Sequence, residues 1–175
     1  MGELDILQRL PLISLTIFLP LFSAFFIIIF VNLQDKTLNF AYASYVALFG
    51  SILTMLSSFV MFLYFDQDKE GFQFQENYVW LESVGLNLHF GIDGISLLLV
   101  MLSSLLFLVA IIASLGHTKK YIKEYLVSFL VLESLSIAFF CSLNLLLFFF
   151  FFEAMLIPMF LIIGIWGGEQ KVYAA

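Results

Sequence analysis

The stretch Phe148-Phe149-Phe150-Phe151-Phe152-Glu153-Ala154-Met155-Leu156-Ile157-Pro158 decides the fold. It lies inside an apolar run from Leu145 to Trp166 whose one ionisable residue is Glu153. A run of that length crosses a bilayer as a helix rising 1.5 Å per residue. Glu153 then sits about nine residues in, roughly 13 Å deep. Insertion scales put the cost of a charge at that depth at ~2.5–3.5 kcal/mol. A carboxyl carried at such a cost is the leading functional candidate. The competing reading is a protonated or paired residue that only ties helices together.

The rest of the chain has the same character. Of 175 residues 63% are hydrophobic, 23 are Phe and only 11% are charged, and mean hydropathy is +1.09. A soluble domain is about half apolar and a quarter charged, so the composition describes an all-α polytopic integral membrane protein. The net charge of −6 excludes a basic nucleic-acid footprint. Cys141, the single cysteine, supports neither a disulfide framework nor a metal site and reads as a small buried hydrophobe. There is no Gly-rich phosphate loop, no CxxC, no His pair at ligand spacing and no nucleophile–base set. No redox cofactor is therefore expected in this chain.

Outward from the central stretch, Asn144 makes a tight turn to a helix over Tyr125–Leu143. Before it lies the densest basic cluster, Lys119, Lys120 and Lys123, in a loop over Gly116–Glu124. Gly94–Leu115 is a third spanning segment, with Asp93 as its natural N-cap. Asp66–Asp93 is the one long polar stretch, where six acids face Lys69. Its alternation, as in Leu86-Asn87-Leu88-His89-Phe90, fits an extramembrane loop with a small hairpin, Tyr78 and Trp80 near the interface. An irregular loop fits nearly as well. Leu38–Phe65 and Leu10–Val31 are two further spans, the latter with Pro11 in its first turn and Pro20 as a kink. The start of the chain lacks the basic residues and cleavage site of a signal peptide. Five crossings with the Lys119–Lys123 loop inside put the N-terminus and the acidic loop outside, with only Arg9 opposed. Val172-Tyr173-Ala174-Ala175 looks like the start of another segment, so a truncated chain is expected.

Two intramembrane carboxylates stand out, Glu133 and Glu153. Glu133 lies eleven residues before Asn144 and Glu153 nine after it. Antiparallel neighbouring helices would thus hold both near one depth, facing or not according to helix rotation. Such a pair, loaded and unloaded as a neighbouring cation moves, is what a proton relay requires. Ser134, Ser136 and Ser128 offer hydroxyls that could hold water or orient Glu133; ordinary interhelical hydrogen bonding is the alternative. Pro158 lacks an N–H, which frees the carbonyl of Ala154 beside Glu153; shaping of helix packing alone is the alternative.

Phe151-Phe152-Glu153-Ala154-Met155-Leu156-Ile157-Pro158-Met159-Phe160, continuing to Trp166-Gly167-Gly168, closely resembles the fifth-helix signature of one family. That family is chain M (mitochondrial chain 4) of proton-pumping NADH:quinone oxidoreductase, respiratory complex I. Gly91-Ile92-Asp93-Gly94-Ile95-Ser96 resembles its approach to the third helix. Lys119-Lys120-Tyr121-Ile122-Lys123-Glu124-Tyr125 and Leu132-Glu133-Ser134 resemble alpha-proteobacterial members best. The resemblance implies the N-terminal part of a fourteen-helix antiporter-like subunit of the membrane arm, packed against neighbouring antiporter-like chains. It implies that Glu153 pairs with a lysine on a seventh helix, and that changes in this pairing drive proton transfer. It also implies that NADH, FMN, iron–sulfur clusters and quinone are bound by other subunits. The membrane would be a bacterial plasma membrane or the mitochondrial inner membrane. Asn144 stands where many members have an acid, which removes a proton-inlet group at that turn. The alternatives are a subunit of a multisubunit Na⁺/H⁺ antiporter or membrane-bound hydrogenase, and a purely structural membrane subunit.

Overall fold

The computed structural model describes residues 10–31, 36–81, 86–115 and 121–168. The expectations for the N-terminus, for Lys119 and Lys120, and for the segment after Gly168 lie outside the described residues.

Among the described residues five helices and one hairpin follow in order: α1 (Leu12–Phe30), α2 (Lys36–Leu63), β1 (Gln73–Leu81), β2 (Leu86–Ile92), α3 (Gly94–Ser114), α4 (Ile122–Cys141) and α5 (Leu145–Trp166). Each helix has a segment long and apolar enough to span a membrane. The expected spans hold, with shifts at their ends. The fifth agrees residue for residue, because Asn144 Oδ1 accepts from the Leu146 N–H at 3.0 Å and so fixes its start. α2 is displaced by two residues at each end, covering 36–63 rather than 38–65. α4 begins at Ile122, not Tyr125, and ends at Cys141, not Leu143. Its charged first turn stays helical because the long stem of Lys123 carries the amine to the Ile28 carbonyl, 3.1 Å away.

α4 is the centre of the molecule and packs against α1, α2, α3, α5 and β2. The reason is its pattern: Leu126, Leu130, Ser134, Ile137, Ala138 and Cys141 recur at helical spacing and are all buried. Small residues in that stripe let α1 approach closely, and the Ser134 hydroxyl donates across to the Ile17 carbonyl at 2.6 Å. Apolar clusters lie on either side of Glu133. One joins Ile13, Ile17, Met61 and Ile137; the other joins Ile27, Ala47, Ile111 and Leu130.

The polar stretch does form a hairpin, antiparallel with Asn77 opposite His89 and Tyr78 opposite Leu88. It closes one end of the bundle, with Phe74, Phe90 and Ile92 buried in the first cluster. The Leu143 N–H donates to the His89 carbonyl at 2.9 Å, which holds the hairpin to the α4–α5 turn. Pro11 offers no side-chain cap to α1; Glu76 on β1 supplies one instead. Its carboxylate accepts from the Ile13 N–H at 2.8 Å, from the Ser14 N–H at 3.1 Å and from the Ser14 hydroxyl. Asp93 caps α3 as expected, in a reciprocal box with Ser96: Oδ1 accepts from the Ser96 N–H at 2.8 Å, and the Ser96 hydroxyl accepts from the Asp93 N–H at 2.9 Å. The Ser96 hydroxyl also donates to Oδ1, and this bond together with that from the Ser96 N–H holds the Asp93 carboxyl below the usual carboxylate range.

α5 sits on the outside. It packs on α4 through Phe139–Phe148 and Tyr125–Trp166, with ring centroids 4.3 and 5.2 Å apart. Only 11% of its spanning window is buried, against 44% for α4. Most of the Phe run therefore faces outward from the described residues.

Candidate functional site: two separate carboxyls

The structure does not bring Glu133 and Glu153 together. Glu133 is fully enclosed where α4 meets α2, with no exposed surface. Ser51 of α2 donates its hydroxyl to Glu133 Oε2 at 3.0 Å, while Oε1 has no partner. Of the two roles open to the hydroxyls of the fourth helix, orienting Glu133 or ordinary hydrogen bonding, the structure shows the second. Ser134 is turned towards the Ile17 carbonyl, while Ser128 and Ser136 donate to Glu124 and Leu132 of their own helix. A helical serine donates to the carbonyl four residues back in its own helix when that carbonyl lies nearest.

Glu153 is exposed on α5. It opens onto a groove of about 670 Å³ that it lines with Phe150, Ala154, Leu156, Ile157 and Phe160. Pro158, five residues further along the same helix, is buried. Its missing N–H leaves the Ala154 carbonyl without a helical donor, beside Glu153. A carboxyl and a carbonyl of reduced pairing thus share one face of an otherwise apolar helix. An unpaired charge on such a face is expensive in hydrocarbon, so the face calls for a covering partner that supplies a donor or a cation.

Ser51 was not read as a site residue from the sequence, although a signal exists. Ser44, Ser51 and Ser58 recur every seven residues and so occupy one face of α2, and all three are buried. Gly50 beside Ser51 explains the close approach of α1. A Cβ there would stand 2.6 Å from the Ser23 Cβ, so only glycine lets the two helices meet at this level. Cys141 is buried, as expected for a small apolar filler.

Residues 71–142 match the family described as the amino terminus of NADH-ubiquinone oxidoreductase chain 4. Residues 142–175, which include Glu153, match that described as the NADH:quinone oxidoreductase/Mrp antiporter transmembrane segment. Over 167 residues the chain is 51% identical to NADH-quinone oxidoreductase subunit M of Rickettsia conorii, covering 95% of this chain and 34% of that protein. Subunit M of Rhodobacter capsulatus is 44% identical over 94% of this chain and 31% of its own length. NADH-ubiquinone oxidoreductase chain 4 of Marchantia polymorpha is 39% identical over 89% and 30%. The fold resembles a chain of respiratory complex I from Thermus thermophilus with bound NADH, at a TM-score of 0.72 and 23% identity over 93% of this chain and 31% of that one. The chain spans about a third of the length of the curated relatives it matches. It belongs to the family of NADH:quinone oxidoreductase subunit M and its mitochondrial counterpart chain 4, in a part that its relatives place at the amino terminus.

Proposed function

We propose that this chain forms the opening five helices of an antiporter-like, proton-translocating subunit in the membrane arm of NADH:quinone oxidoreductase. The observation that carries the reading is the setting of Glu153. It is the one ionisable residue of α5, it lies in the segment matched by the antiporter-type family, and it faces an open groove. A carboxyl so placed can take a proton from, and pass it to, a group on a helix that covers the groove. The resemblance supplies that group as a lysine of a seventh helix. Glu133 is the second titrating group of the reading.

In this reading the chain itself carries no redox centre. NADH, FMN, iron–sulfur clusters and quinone are bound by other subunits, and the chain's partners are the neighbouring antiporter-like chains and the lipid. The membrane is a bacterial plasma membrane or the mitochondrial inner membrane. The basic Lys119–Lys123 segment faces inside, and the hairpin faces outside with the N-terminus.

The test is Glu153→Gln in the full-length subunit, in membranes of a host lacking its own copy. NADH-driven proton uptake and quinone-linked turnover are expected to fall by about a hundredfold. Assembly and NADH oxidation with an artificial acceptor are expected to persist. Normal pumping at normal turnover would refute the reading.

A further inference from the structure

α1, α4, α5 and the hairpin leave a cavity of about 470 Å³ between them, and neither Glu133 nor Glu153 lines it. α1 contributes Phe18 and Leu21, α4 contributes Leu135 and Ala138, α5 contributes Phe151, and the hairpin contributes Tyr78. Ser14 of α1 lines it too, at the same end as Tyr78, because both side chains bond to Glu76. Leu21 stands seven residues beyond Ser14, so the cavity extends ~10 Å along α1 and hence along the bilayer normal.

Its shape selects the occupant. Volume over length gives a mean section of roughly 45 Å², about 7–8 Å across. A helix with its side chains needs ~10–12 Å, so the space suits alkyl chains and not a helix. A second cavity of about 420 Å³ shares Phe18 and Leu21 with the first and continues along α1 to Ile28, beside Val131 of α4. All of its lining residues are apolar. One leaflet of hydrocarbon is roughly 15 Å deep. An acyl chain entering beside Ser14 therefore fills the first cavity and reaches the second.

The polar atoms are sorted along this path. Ser134 is closed by its bond to the Ile17 carbonyl. The hydroxyls of Ser14 and Tyr78 stand at the hairpin end, close to Leu12, where the spanning part of α1 begins. Each donates its one proton to Glu76 Oε2, Tyr78 at 3.3 Å. A hydroxyl whose proton is committed has only lone pairs left. This end of the cavity accordingly accepts hydrogen bonds and offers none. Among the described residues the same end of the bundle carries Asp66, Asp68, Glu70, Glu76 and Asp93 against Lys69. Such a setting attracts a cation with N–H groups and repels an anionic head.

We propose that this cavity binds a membrane phospholipid with a primary ammonium headgroup. Its acyl chain lies between α1 and α4, and its ammonium donates to the Ser14 and Tyr78 oxygens. A trimethylammonium head has the charge but no N–H, and a phosphoglycerol head has donors but a net negative charge. Neither meets both requirements. The site needs only the membrane setting of the helices and is independent of the proton-translocating reading.

The test uses the full-length subunit in the assembled complex, reconstituted in phosphatidylcholine vesicles. Trace phosphatidylethanolamine, phosphatidylcholine or phosphatidylglycerol is added, each with the same photoreactive acyl chain, and labelled peptides are mapped by mass spectrometry. Labelling at Leu98 and Leu102, both exposed on α3, sets the background. The ethanolamine lipid is expected to label the α1 and α4 walls about tenfold more than the other two, the worth of one hydrogen bond from a charged donor. Tyr78→Phe should bring the three lipids towards parity. Leu135→Trp fills the cavity and should reduce wall labelling to background; Leu21→Trp does the same from α1 should the first variant not assemble. Equal labelling by all three lipids in the parent overturns the proposal, and so does wall labelling at background. A photoreactive residue in place of Phe18 that cross-links to a later helix of the subunit, and not to lipid, overturns it as well.

Discussion

Replacing Gly50 by alanine tests whether the α1–α2 joint holds the buried carboxyl in place. A Cβ at Gly50 would lie 2.2 Å from Ser23 Oγ and 2.6 Å from Ser23 Cβ. The hydroxyl can rotate away, but the Cβ is held by the backbone of α1. Ordinary carbon–carbon contacts are ~3.5–4.0 Å, so the two helices must separate by roughly 1 Å. Overpacking of this kind costs about 1–3 kcal/mol. Alanine for glycine within a helix returns up to about 1 kcal/mol. The clash wins, and a net loss of about 1–2 kcal/mol is expected. Ser23→Gly removes both clashing atoms and should restore most of that loss in the double variant. Ser23→Ala removes only the hydroxyl and should restore less. The assay is thermal inactivation of quinone-linked activity in the assembled complex, read as a double-mutant cycle. The separation also strains the 3.0 Å bond from Ser51 to Glu133, so proton uptake should fall with stability. A Gly50→Ala protein as stable as the parent would refute the reasoning. So would a double variant in which the two losses simply add.

Other predictions follow from the caps and the two carboxyls. Glu76→Ala strips the acceptors from the Ile13 and Ser14 N–H groups and should destabilise the subunit by about 1–3 kcal/mol in the same thermal assay. An unchanged midpoint would remove Glu76 as the cap of α1. Asp93→Ala should cost about 1 kcal/mol through loss of the α3 cap. Because the folded state holds the Asp93 carboxyl below its ordinary value of 3.8, its contribution is complete above that value. It is lost as pH falls through the lowered one. Stability measured against pH should therefore show this acid-side loss in the parent and lack it in Asp93→Asn; identical profiles would contradict the box. The Glu153→Gln variant described above and a matching Glu133→Gln complete the set, and a pump indifferent to both would leave no role for either carboxyl.

Several features were legible before any coordinates. Spanning helices announce themselves because every backbone N–H and C=O in hydrocarbon must be paired within the segment, so apolar length alone reports the element. α5 was readable to the residue, since a cap at Asn144 and a glycine pair after Trp166 bound one uninterrupted run. The start of α4 was misplaced because a charged turn looks like a loop in sequence, whereas Lys123 reaches a carbonyl of α1 without leaving the helix. The cap supplied by Glu76 was invisible for another reason. Its partners lie 63 and 62 residues away, and in sequence it is one acid among several in a polar loop.

The sequence by itself determined the membrane class, the five spans and the family. Each of these depends on composition, run length or local pattern. Only the tertiary structure decided which way the carboxyls point. α5 is apolar almost all round, so nothing in its pattern sets its rotation, and Glu153 could equally have faced α4. The contact with α4, through Phe148 and Trp166, turns Glu153 to the open side. Packing turns Glu133 inside, with Leu126, Leu130 and Ile137 of the same stripe. That its partner is Ser51, and that one of its oxygens is left unsatisfied, follows from α2 being drawn in at Gly50. Helix rotation and interhelical distance are set by contacts between segments far apart in the chain, and those contacts exist only once the helices pack.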